Sequence, residues 1–101
     1  MTLSVRQKGL RGEQRAAKTY REAGWMVRRL DGLGDFLALL KGRKPHHVES
    51  MNQERLRLPE WLRQAKGEAP AGFVPVVVFP SEWGEQWACL PLADLVRLTS
   101  G

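Results

Sequence analysis

A chain of 101 residues, 43% apolar and 27% charged, is long enough for one modest core and too short for two, so residues 1–101 are read as a single domain. Its longest apolar runs, Phe36 to Leu40 and Phe73 to Pro80, fall far short of a bilayer crossing, its single Cys89 cannot form an internal disulfide, and the opening MTLSVRQKGLRGE lacks a signal-like apolar stretch; a soluble, cytoplasmic protein with no membrane partner is expected. The net charge of +5 is uneven, because residues 1 to 29 carry eight basic side chains against Glu13 and Glu22, and such a surface attracts polyanions, nucleic acid first, although a merely solvated helix face has the same look.

From Val5 to Ala23 the spacing predicts a helix, with Leu10, Ala17 and Tyr20 on one stripe and Gly24 as its stop. Trp25 to Leu30 reads as a strand, broken by the two-glycine turn Asp31-Gly-Leu-Gly34. The apolar run Phe36 to Leu40, the charged turn Lys41 to Pro45 and a third strand from His46 to about Met51 are expected to form a hairpin. Leu58-Pro59-Glu60 opens a second helix, expected to run to about Lys66 and to stop at Gly67. Val74 to Phe79 is apolar on both parities, as in a strand buried on both faces, with Gln86 to Leu90 beside it and a short helix from Leu92 to Leu98. The order α-β-β-β-α-β-β-α implies an α/β fold with a central mixed five-stranded sheet flanked by helices.

Three acids stand out against this frame. Glu13 falls in the middle of the apolar stripe of the first helix, where an unpaired carboxylate would be costly, so a partner such as Arg28 or Arg29 is required. Asp35 follows the glycine-rich turn, and Glu49 lies in the strand after the hairpin. Singly, each has an ordinary account: an ion pair, a turn aspartate, an exposed edge residue. A hairpin between residues 36 and 50, however, brings Asp35 and Glu49 to the same end of adjacent strands. Hard oxygen ligands placed so are what Mg²⁺ or Mn²⁺ takes, with the backbone carbonyl of Ser50 as a further donor, and nearby basic surface would deliver a phosphodiester.

These residues resemble the PD-(D/E)xK nuclease core: "GD", a strand, a turn, and "VES" before residue 51. "KGLRGE", followed by "AGW", is further similar to the first helix of archaeal-type Holliday junction resolvases, and the likeness runs from Lys8 to Met51 and, in element order, to about Leu98. The resemblance implies a restriction-endonuclease-like core and metal-dependent hydrolysis in branched DNA, at four-way junctions, by a homodimer. It assigns metal binding to Asp35 and Glu49, a second metal or the orientation of its water to Glu13, and a catalytic lysine to position 51. Another nuclease of the superfamily, acting on flaps or ends, and a DNA-binding relative without catalysis are the alternatives.

Position 51 departs from that pattern. Methionine has nearly the reach of a lysine stem without the ammonium, so Met51 keeps packing and loses charge. An inactive natural relative and an inactivated variant of an active nuclease both fit; retention of every candidate ligand favours the variant, and either way weak cleavage is expected. The loop before Asp35 also lacks the serine that relatives often carry there. Arg6, Lys8, Arg11, Arg15, Lys41, Arg43, Lys44, Arg55 and Arg57 are the expected phosphate contacts. Part of Phe79 to Trp87 is expected at a dimer interface, with a core beneath the last helix as the other use of these aromatics. His46 and His47, without cysteine neighbours, are expected to be solvated or hydrogen-bonded rather than zinc ligands.

Overall fold

Eight elements follow one another in the expected order. The computed structural model describes residues 5–30, 35–51, 57–81 and 84–100, the first six of these as backbone alone. They form α1 (Val5–Glu22), β1 (Met26–Arg29), β2 (Asp35–Leu39), β3 (His46–Ser50), α2 (Leu58–Glu68), β4 (Val74–Pro80), β5 (Gln86–Cys89) and α3 (Leu92–Thr99). The strands make one mixed sheet in the order β1-β2-β3-β4-β5, with β3 and β4 parallel and every other neighbouring pair antiparallel. This α/β arrangement of a five-stranded sheet and three helices is consistent with a restriction-endonuclease-like core.

The local chemistry of each boundary accounts for the topology. Gly24 has φ +92°, a left-handed conformation that glycine adopts without a Cβ penalty. Its N–H bonds to the Arg21 carbonyl at 3.0 Å, and the Trp25 N–H reaches back to the Tyr20 carbonyl at 3.0 Å. The rings of Tyr20 and Trp25 meet edge to face at 5.3 Å, supplying the apolar contact that accompanies this kind of helix end. The chain is thereby turned straight into β1. Pro59 sits in the first turn of α2, where its missing N–H has no carbonyl to lose.

Two apolar clusters sandwich the sheet. Ala16 and Ala17 of α1 pack with Phe36, Ala38, Val48 and alternate valines of β4 on one face. Trp61 and Ala65 of α2 pack with Val77 and Phe79 on the other, and Met51, Leu58 and Leu62 border that cluster. β4 is covered on both sides, as its unbroken apolar sequence requires. α3 buries no residue; Leu92 is 73% exposed, and a Lys44–Asp94 contact of 3.7 Å ties the helix to the turn after β2. The alternative use of these aromatics, a core beneath α3, is therefore absent among the described residues, and Phe79 is buried against Trp61 of α2 instead. Trp87 stays 42% exposed against the edge of Phe79, while Trp83 lies outside the described residues.

α1 and β3 approach closely at Gly12, where a Cβ would stand 2.5 Å from the Ser50 Oγ. Gly12→Ala gains about 1 kcal/mol of helix propensity and costs about 1–3 kcal/mol in overpacking. The substitution is expected to destabilise the chain by about 1 kcal/mol and, in a Ser50→Ala background, to stabilise it by about as much. Urea unfolding of the four chains reads the change of sign.

Candidate metal centre

The register of β2 and β3 places Asp35 directly opposite Glu49. Side chains of directly opposed residues project to the same face of a sheet, and successive residues to alternate faces. Phe36 and Val48, also opposed, point into the α1 cluster, so Asp35 and Glu49 point to the α2 side. Val77 flanks Glu49 from the parallel strand β4 and belongs to the α2 cluster, which agrees. Expectation and geometry coincide here: the hairpin converges the two acids at its open end.

A third carboxylate joins them from the last residue of α2. Asp35, Glu49 and Glu68 each offer an oxygen, and these atoms lie within 4.8 Å of one another. Glu49 is 2% exposed, which removes the edge-residue account, and neither of its carboxylate oxygens has a hydrogen-bond partner. Among the described residues no ion pair reaches any of the three acids. Gln64 donates to Glu68 at 3.1 Å.

The electrostatic consequence is strain. Burial, contact with the Glu68 carboxyl and the charge of Asp35 push the Glu49 carboxyl up to about 8. Contact with Glu49 and with the Gln64 amide holds Glu68 below its ordinary value. Burial also raises Asp35, with His47 acting against that shift and Glu68 and Glu13 adding to it. The C-terminal end of a helix, where α2 presents Glu68, carries partial negative charge of its own. Hard oxygen donors, crowded and short of positive charge, are the donor set that divalent cations such as Mg²⁺ and Mn²⁺ take.

Glu13 takes a different place. It is 1% exposed, and Arg29 grips both its oxygens, Nε to Oε1 at 3.0 Å and Nη2 to Oε2 at 3.2 Å. Arg29 opposes Phe36, so this pair lies on the α1 face while Asp35 and Glu49 lie on the other. Glu13→Ala is expected to lower stability by about 2 kcal/mol, through lost packing and a lost bidentate pair, and to leave Mn²⁺ affinity within about twofold. Thermal unfolding and calorimetry check the two halves separately.

Ser50 ends β3 with its hydroxyl turned toward α1 at Gly12, and the next residue, Met51, donates its N–H to the Val78 carbonyl at 2.8 Å. The Met51 side chain packs on the Trp61 cluster. Both histidines are buried rather than solvated: His46 Nδ1 meets the Tyr20 hydroxyl at 2.8 Å, and burial lowers its pKa. His47 Nδ1 lacks a partner.

The expected phosphate contacts divide into separate groups. Arg11 and Arg15 are exposed on α1 and border a hollow with Met51, Pro80 and Gln86; Arg15 also donates to the Gly84 carbonyl. Lys41, Arg43 and Lys44 occupy the closed end of the hairpin, the opposite end from Asp35 and Glu49, so they do not surround the carboxylates. Arg57 contacts Glu60 at 3.7 Å. The side chains of Arg6 and Lys8, and all of Arg55, lie outside the described residues.

Glu68 is the residue that the sequence reading missed. The helix was expected to stop at Gly67, but it continues to Glu68, where the Ala69 N–H closes the last turn on the Ala65 carbonyl at 2.9 Å. Pro70 is the better stop signal: it disfavours helix at Ala69, the residue before it, and leaves Glu68 helical.

Fold and site together define an α/β protein with three acids gathered at the open end of its central hairpin. No protein-family model matches the chain, and a search of curated proteins returned no match. No helix among the described residues is long and apolar enough to cross a membrane.

Proposed function

We propose that the chain descends from, or is a variant of, metal-dependent DNA endonucleases of the PD-(D/E)xK type, and that it recognises four-way junctions as a homodimer. The observation that carries this reading is the direct pairing of Asp35 with Glu49 across β2 and β3, with both Glu49 oxygens buried and unpartnered. An orphaned buried carboxylate is costly unless something positive completes it, and the donors present suit Mg²⁺ or Mn²⁺. Such an ion, when bound, supplies a nucleophilic hydroxide at neutral pH and neutralises charge on the scissile phosphate.

The chain's own residues do the rest. Asp35 and Glu49 fix the ion at a rigid sheet end. Arg11 and Arg15, exposed on α1, bind phosphates rather than bases, so affinity should fall steeply with salt. Two copies related by a two-fold axis match the symmetry of a four-way junction, with exposed Trp87 among the residues offered to the partner copy. Met51 occupies the place of the ammonium that would steady the attacking water, so cleavage by this chain is weak.

The test is cleavage of a labelled four-way junction by the chain and by Met51→Lys, in Mg²⁺ and in Mn²⁺. Paired, symmetric nicks support resolution; nicks at flaps or ends alone move the chain to a replication-repair nuclease. A second reading, a DNA-binding module without catalysis, draws on the packing of Met51 into the Trp61 cluster. It takes over if neither chain cuts any substrate while junction binding persists. Equal affinity for junction and linear duplex of the same length would rule out junction selectivity.

A further inference from the structure

The third carboxylate of the cluster comes from outside the hairpin. Glu68 stands at the C-terminal end of α2, a position where the helix itself disfavours an acid. Its carboxylate nevertheless faces Asp35 and Glu49 rather than a cation, with ligand oxygens of all three within 4.8 Å. Oxygens that bind one ion at about 2.1–2.4 Å lie at most about 4.8 Å apart, so the three ligand oxygens are near enough to share one ion. The second observation is independent of the acidic cluster as such: Glu49, 2% exposed, directs two orphaned oxygens into this space.

We infer that Glu68 is a ligand of the same divalent cation as Asp35 and Glu49, so that the site is closed by α2 and not by Glu13. This inference rests on the metal-dependent reading above. Glu13 is committed to Arg29 on the other face of the sheet, whereas among the described residues Glu68 has no cation, only the Gln64 amide and Glu49 itself beside it. The arrangement also gives α2 a task. Loading the ion ties the end of α2 to the β2–β3 hairpin, two parts of the fold that otherwise meet as like charges.

The experiment is calorimetric titration of the full chain with Mn²⁺ at pH 8, for the wild type, Asp35→Asn and Glu68→Gln, with thermal unfolding of each with and without the ion. Glu68 is exposed at a helix end, so its substitution leaves the fold intact. The expected result is one ion per chain, weakened at least fivefold by Glu68→Gln, together with a higher unfolding temperature for ion-free Glu68→Gln and a smaller rise on adding Mn²⁺. A glutamate that merely shares a proton with Glu49 would, on its removal, leave Mn²⁺ affinity unchanged or tighter, which overturns the assignment. If the wild type and Asp35→Asn differ in Mn²⁺ affinity but Glu68→Gln weakens it less than fivefold, the assignment of Glu68 is overturned and the two-carboxylate site stands. No Mn²⁺ binding by the wild type at millimolar concentration overturns both.

Discussion

Met51→Lys is expected to raise Mg²⁺-dependent cleavage of a four-way junction by about 10²-fold or more, the scale on which a single well-placed donor to the developing charge acts. Residues 49 and 51 are two apart at the end of β3, so their side chains leave the same face. A lysine stem can follow the path of Met51 at the margin of the Trp61 cluster, from which an ammonium can turn toward the acids on the same face. Burying the stem costs little because the two side chains are close in length; the ammonium meets a site already rich in negative charge. The substitution is therefore expected to stabilise the ion-free chain or leave it unchanged, contrary to the usual result of placing lysine beside a core. Single-turnover cleavage and thermal unfolding measure the two effects. A lysine variant that folds, binds junctions and still cuts no faster than the parent would remove position 51 from the chemistry.

What the sequence disclosed follows from how local each feature is. The helix stop at Gly24, the doubly covered strand β4 and the hairpin that pairs Asp35 with Glu49 all depend on residues close together in the chain. Periodicity also placed Glu13 inward and required a cation for it, and Arg29 was one of the two candidates named. It could not say on which face of the sheet α1 would lie, and that choice separates Glu13 from the other acids. A hairpin puts its turn and its open end at opposite poles, so the Lys41 to Lys44 turn stands apart from the carboxylates. Glu68 needed two further facts, the continuation of α2 through Gly67 to Glu68 and the packing of that helix against β3. No pattern within the α2 sequence alone signals that its last residue meets Glu49.

Stability in the absence of divalent ions is expected to fall as pH rises, against the common trend for a protein with buried carboxylates. The Glu49 carboxyl is pushed up to about 8 in the folded chain from 4.5. Between those values the folded state holds a proton that the unfolded state has released, so the slope of unfolding free energy against pH is negative. The stabilisation is complete below about pH 4.5 and is lost as pH rises through about 8. At ~1.4 kcal/mol per unit, reduced because the charges of exposed Glu68 and half-buried Asp35 are screened by solvent, the loss amounts to about 3 kcal/mol. The raised Asp35 carboxyl acts with the same sign nearer its ordinary range. His46 acts oppositely: burial lowers its pKa, so its contribution is present above about 6.5 and is lost as pH falls through the lowered value. Between pH 7 and 9, then, Glu49 governs the slope among the described groups with shifted titration. Urea unfolding across that range should show a falling midpoint, flattened in Glu49→Gln, which cannot titrate. Mn²⁺ should restore the loss in the wild type but not in Glu49→Gln, since the ion binds the deprotonated acid and stabilises in proportion to RT ln(1 + [L]/Kd). A flat or rising midpoint from pH 7 to 9 would show that Glu49 is ionised and compensated by a group other than an added ion.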